Sequence, residues 1–199
     1  MNTPHWHYFV ALCQDFEKTT RFVELSPDNF STYSIQFARI YLAIGSEIDV
    51  VAKLVCQQID PSKSAKNIDQ YRRTIVGKYP QFPTVEVRAE MAGIQFTPWA
   101  DWGSQKQPSW WTCYNDVKHE RNRFFKSANL ENTLNALGGL LVLTGYLYSM
   151  ELSNCSLGPS GNVITFANKY YSGVAMRDHG NVAGYRMPGA PQREPPLPR

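Results

Sequence analysis

Leu134-Asn-Ala-Leu-Gly-Gly-Leu-Leu-Val-Leu-Thr-Gly-Tyr-Leu-Tyr-Ser-Met150 is the stretch whose reading decides the fold. It is apolar nearly all round, so no helical face is left for water. A membrane span needs about 20 such residues. This run is shorter, is interrupted by Asn135 and has no flanking basic cluster. A helix enclosed by other helices accounts for it, and no membrane association is expected. Gly138, Gly139 and Gly145 carry a propensity cost that close helix approach would offset. Asn129 offers an N-cap and Glu131 an acid in the first turn, so the central helix is expected over 130–152.

Immediately upstream stands Trp110-Trp-Thr-Cys-Tyr-Asn-Asp-Val-Lys-His-Glu-Arg-Asn-Arg-Phe-Phe125, preceded by Pro108-Ser109 as a first turn and cap. Tyr114, Val117, Arg121 and Phe124 fall on one stripe; Asn115, His119, Asn122 and Arg123 fall on another. One helix thus presents an apolar seam beside a row of amide, imidazole and guanidinium. Further upstream, Phe37, Ile40, Tyr41, Ile44, Ile48, Val51, Ala52 and Val55 make a long apolar stripe, giving a helix over 33–59. Glu47 lies on or beside that stripe. A carboxylate there either reaches solvent at the edge or meets a cation from another helix, since an unmatched buried charge is costly. With the 110–125 helix packed on the 33–59 helix, the expected partners of Glu47 are Lys118, His119 or Arg121.

The remaining elements follow the same periodicities. Phe9, Leu12, Cys13 and Phe16 indicate a first helix over 5–20, with His5 and His7 as exposed terminal histidines. Ser64 or Asn67 can cap a charged helix over 68–79. The period then falls to two in Val85-Glu-Val-Arg88 and Ile94-Gln-Phe-Thr97, with Met91-Ala-Gly93 between, which predicts a small β-hairpin near 84–97. Trp99 and Trp102 should pin the following loop to the core. Asn162–Ala167 reads as a short strand. The chain is therefore read as mainly α, a helical bundle with long central helices and a small β-hairpin. Residues 1–175 form a single α-helical domain, and 176–199 a Gly/Pro-rich extended tail.

Composition narrows the function. At 199 residues the chain suits one domain with a substantial core, and a hydrophobic fraction of 43% argues against disorder. A net charge of +3 is well short of a dedicated, strongly basic nucleic-acid binder. Cys13, Cys56, Cys113 and Cys155 are far apart, without CxxC or Cys/His zinc spacing, and read as free thiols. No metal or cofactor is expected. No basic stretch followed by an apolar run opens the chain, so a cytoplasmic location is expected. There is no internal repeat, no Gly-rich phosphate loop and no assignable Ser-His-Asp order.

Two stretches together carry a resemblance. Ser46-Glu-Ile-Asp-Val-Val-Ala-Lys53 lies midway along a long helix, and Trp111-x-x-Tyr-Asn-x-x-Lys-His-x-Arg121 is followed by an all-apolar helix. Over about residues 30–152 the arrangement resembles the HEPN superfamily (higher eukaryotes and prokaryotes nucleotide-binding) of small bacterial helical bundles. The resemblance implies a homodimer and an RNA partner. It also implies, for many members, metal-independent endoribonuclease activity in toxin–antitoxin or phage-defence systems; other members bind RNA, nucleotides or proteins without cleaving. The family's nuclease motif is an arginine, four to six residues, then a histidine. His119 matches the histidine, but Thr112, Cys113 and Tyr114 stand where the arginine belongs.

Two expectations follow for the same residues. In one, His119 and Arg123 are catalytic, serving as base for a 2′-hydroxyl and cation for the phosphorane; Asn115, Lys118 and Asn122 bind RNA, supported by Glu47, Asp49 and Arg121. In the other, the Lys-His-x-Arg row is a structural polar network with Glu47 and Asp49 inside a non-enzymatic, dimerising module. Exposure of His119 separates the two. A dimer also suits 10 Phe, 11 Tyr and 5 Trp, more aromatic surface than a small core readily encloses. The Pro-rich end could engage a partner protein as a polyproline segment.

Overall fold

The computed structural model describes residues 3–149, 163–177 and 180–190. Among the described residues six helices build the bundle: α1 (Pro4–Thr19), α2 (Ile35–Ile59), α3 (Ile68–Lys78), the single turn α4 (Ala100–Gly103), α5 (Ser109–Phe124) and α6 (Leu130–Leu147). Starts follow local chemistry. Pro4 opens α1; Ser34 Oγ caps α2 by accepting from Phe37 N, and Asn67, of the two cap candidates, accepts from Gln70 N at α3. Arg21–Leu25 is neither helix nor strand and carries the chain away from α1 through turns and bends.

The apolar run is the centre of the molecule, as expected. Every residue of α6 from Ala136 to Leu147 is buried, and α2 is its principal neighbour. No helix among the described residues is long and apolar enough to cross a membrane. α6 ends at Leu147, five residues before the expected end, and residues 150–162 lie outside the described residues. Its start is doubly tied: Asn129 Oδ1 accepts from Asn132 N, while Leu130 N and Glu131 N donate to the carbonyls of Thr32 and Phe30.

The glycines of α6 do not chiefly serve helix approach. A Cβ on Gly138 would sit 2.8 Å from Phe96 Cε2, and one on Gly145 2.6 Å from Phe166 Cζ. These positions seat the aromatic side chains of a sheet. That sheet contains the predicted hairpin, β1 (Val87–Ala89) and β2 (Ile94–Phe96), extended by β3 (Thr165–Phe166) in the order β2-β1-β3, all antiparallel. Gly93 takes the turn at φ +64°, where a side chain would be strained.

The expected tail begins differently. β4 (Tyr171–Arg177) and β5 (Gly180–Tyr185) form a second hairpin, and the chain then returns to the bundle. Met187 and Ala190 are buried, and the Tyr146 hydroxyl donates to Pro188 O at 2.8 Å. Cys155 and the Pro-rich segment 191–199 lie outside the described residues.

Trp99 and Trp102 are both buried, 4.2 Å apart between ring centroids, and Trp99 Nε1 donates to Gly139 O. Trp110 continues this cluster at 5.0 Å from Trp99 and donates its indole N–H to Pro98 O. The start of α5 is thus held by aromatic packing. Ser109 is not its cap; Asp101 Oδ2 accepts Ser109 N–H across the loop instead.

Candidate functional site

α5 packs on α2, as the two seams predict, but through aromatic groups. The Tyr41 hydroxyl donates to Trp110 O, and the Tyr114 ring lies against the backbone of Gly45. Tyr41 and Tyr114 meet edge to face at 6.0 Å. Burial, reinforced by the charge of Asp49, holds the Tyr114 phenol above the usual tyrosine range. Lys118 extends over the same ring at 5.6 Å.

Glu47 is the first correction. It lies at the margin of the stripe, but its partner is His5 of α1, whose Nδ1 is 2.6 Å from Glu47 Oε1. Side-chain exposure of 23% for His5 and 11% for Glu47 makes this a partly buried contact, so His5 is not a loose terminal histidine. None of Lys118, His119 or Arg121 reaches Glu47. Asp49 is likewise engaged elsewhere: it accepts from the Tyr71 hydroxyl at 2.8 Å and from Lys53 one turn along α2. The two acids link α1 to α2 and α2 to α3. Neither forms a network with the α5 row, which corrects that expectation.

The second correction concerns the row itself. Glu120 leaves the helical region at φ −135°, ψ 50°, bending α5 between His119 and Arg121. The facing of positions 119 and 123 depends on unbroken helical backbone, so His119 and Arg123 no longer share a stripe by construction. Asn115 is half-buried and turned back on its own helix, donating to Trp111 O at 3.0 Å. Lys118, His119, Arg121, Asn122 and Arg123 are all exposed. Arg121, expected on the apolar seam, is exposed and lies just past the bend. Arg123 pairs with Glu120 at 2.7 Å and lies 5.5 Å from the Phe124 ring. His119 has no hydrogen-bond or ion-pair partner among the described residues.

Beyond the bend, α5 passes into a 3₁₀ turn over Phe125–Ser127. Phe124 and Phe125 are half-buried there, and Phe125 meets Tyr33 edge to face at 5.4 Å. The bend therefore turns two aromatic side chains partly inward while leaving the cations outside. The result is an exposed segment, 118–126, with Lys118, Arg121, Arg123 and Lys126 against the single carboxylate of Glu120. No other nine-residue window of the chain holds four cations. Lys126, Phe124 and Phe125 were not among the expected site residues; charge density alone would have drawn in Lys126.

What this surface can do follows from its groups. Four cations attract phosphate, and half-exposed aromatic rings offer faces for bases. Cleavage chemistry would ask more of it, because a general base is normally oriented by a second group. Among the described residues no cluster of three or more His, Cys, Asp or Glu is placed to hold a metal ion.

Comparison of the chain with family models, curated proteins and solved structures finds no match in any of the three.

Proposed function

We propose that this protein binds single-stranded RNA through residues 118–126, and that it is a non-cleaving, HEPN-like helical bundle. The observation that carries the reading is the joint exposure of Lys118, His119, Arg121, Asn122, Arg123 and Lys126 beside half-buried Phe124 and Phe125. A structural network would bury these groups and satisfy them internally. Here the cations point to water, and their only carboxylate neighbour in the segment is Glu120. The moderate net charge of the chain is compatible with this role, because binding needs a local field more than a global one. The resemblance of 30–152 to the HEPN superfamily supports an RNA partner and a defence or toxin–antitoxin setting.

The binding arm, without turnover, is favoured by the bend at Glu120. It separates His119 from Arg123 along the helix, and Arg123 is already held by Glu120. The test is fluorescence anisotropy of a labelled single-stranded RNA, titrated with wild type and with a Lys118→Glu/Arg121→Glu variant. Binding at low salt that the charge reversal removes supports the proposal; absence of binding, or equal binding by both proteins, overturns it. Gel analysis of the same mixtures, with and without EDTA, addresses cleavage. Intact RNA is expected, whereas discrete products lost in His119→Ala would restore the nuclease assignment.

A further inference from the structure

The basic segment 118–126 has an uncharged neighbour. Residues 30–35, Phe-Ser-Thr-Tyr-Ser-Ile, carry no charge and lead into α2. Their backbone is strapped to the start of α6: Leu130 N and Glu131 N donate to the carbonyls of Thr32 and Phe30, and Tyr33 bridges Asn129. The carboxyl end of the basic segment is tied to the same place, because Asn132 Nδ2 donates to Ser127 O at 2.9 Å. Tyr33 is 42% exposed and Ile35 71%. Ser34 between them is extended (φ −156°, ψ 164°), so both side chains leave the chain on one side. Large apolar groups this open contribute little to their own core and mark a contact surface. Tyr33 also meets Phe125 at 5.4 Å with the two ring planes 81° apart, which joins this surface to the basic segment.

We propose that Tyr33 is a second base platform for the RNA, and that the ligand is an unpaired, pyrimidine-rich tract whose neighbouring bases are splayed apart. The inference rests on the RNA reading of segment 118–126. The first argument is angular. A base stacked on an aromatic side chain lies parallel to the ring. Bases on Phe125 and on Tyr33 therefore stand at 81° to each other. Neighbouring bases of a duplex, or of a helically stacked single strand, are nearly parallel, so such a strand cannot use both rings without unstacking. Unstacking costs least where bases stack weakly, as uracils do, and most in a run of adenines. The second argument is charge. Lys118, Arg121, Arg123 and Lys126 supply phosphate attraction on one side of the Tyr33–Phe125 contact. On the other side residues 30–35 hold no cation and offer only a ring face and apolar surface, which suit bases and not phosphates. The backbone ties hold that side in place before RNA arrives, so little ordering entropy is lost on binding.

Fluorescence anisotropy at low salt with labelled oligo(U), oligo(A) of equal length and the duplex of the two tests this. Wild type should bind oligo(U) about fivefold more tightly than oligo(A), and the duplex more weakly than either. Tyr33→Leu keeps an apolar contact with Phe125 but has no ring face. It should lose about tenfold on oligo(U) and most of the preference, whereas Tyr33→Phe should retain both. The slope of log affinity against log salt should be unchanged in Tyr33→Leu, because no cation is lost; a variant that merely displaced the basic segment would lower it. Tyr33→Trp adds a spectroscopic readout. The five native tryptophans are buried, none above 6% exposure, so quenching by oligo(U) should appear in the variant and not in wild type. Oligo(A) or the duplex bound as tightly as oligo(U), or Tyr33→Leu indistinguishable from wild type, overturns this proposal alone if Lys118→Glu/Arg121→Glu still removes binding. No binding to any of the three, or binding indifferent to that charge reversal, overturns both.

Discussion

Gly45→Ala should destabilise the protein even though it removes a glycine from the middle of a helix. On propensity alone the change favours α2 by about 1 kcal/mol. Tyr114 opposes it. An added Cβ would stand 2.2 Å from Tyr114 Cε2 and 2.3 Å from Cδ2, where ordinary contact begins at 3.4 Å. The ring must therefore move by more than an ångström. Tyr41 and Trp111 bound it at centroid separations of 6.0 and 5.0 Å, so rotation alone gives no relief. Overpacking of this kind costs about 1–3 kcal/mol, and here the upper half of that range is appropriate. The net expectation is a loss of about 1–2 kcal/mol, read as a lower urea midpoint at unchanged slope. In a Tyr114→Ala background the obstruction is gone, and Gly45→Ala should stabilise by up to about 1 kcal/mol. Stabilisation in the wild-type background, or the same effect in both, would refute the packing of α5 on α2.

Three further outcomes follow. His5→Ala and Glu47→Ala should each cost about 1–2 kcal/mol, the partial exposure of both groups keeping the loss below that of a fully buried pair. The double mutant should cost little more than either alone in urea unfolding. Burial raises the phenols of Tyr41, Tyr71 and Tyr146 well above their usual range. The folded state therefore keeps protons that the unfolded chain releases, and stability present below about pH 10 should fall as pH rises further. Melting temperature against pH, with tyrosinate absorbance appearing only on unfolding, checks the sign. Burial pushes the Cys56 thiol up to about 11, opposed by a hydrogen bond from Thr74, and raises buried Cys13 further. Native thiol titration should leave both unmodified while half-buried Cys113 reacts, as mass spectrometry of the labelled peptides would show.

Local periodicity made most of the bundle legible. The all-apolar 134–150 run, the stripe from Phe37 to Val55 and the caps Asn67 and Asn129 depend on neighbours three or four residues away, and such relations are written directly in the chain. What escaped were pairings across long separations. His5 and Glu47 are 42 residues apart, and nothing in the spacing of either marks the other. β3 joins β1 from more than 70 residues downstream, and the aromatic side chains that it and β2 contribute decide what Gly138 and Gly145 are for. The bend at Glu120 has no proline or glycine to announce it. It nevertheless decides the site, because it breaks the stripe that joined His119 to Arg123. The composition of the row was readable; its shape was not.

The central claim is that segment 118–126 contacts RNA, and photo-crosslinking with site mapping by mass spectrometry tests it most directly. Ultraviolet irradiation of the complex at low salt should attach RNA at Phe124 or Phe125, since stacked aromatic rings lie closest to the bases. Each lost cation should also lower the slope of log affinity against log salt by about 0.7. Crosslinks confined to other parts of the chain, with segment 118–126 recovered unmodified, would contradict the account.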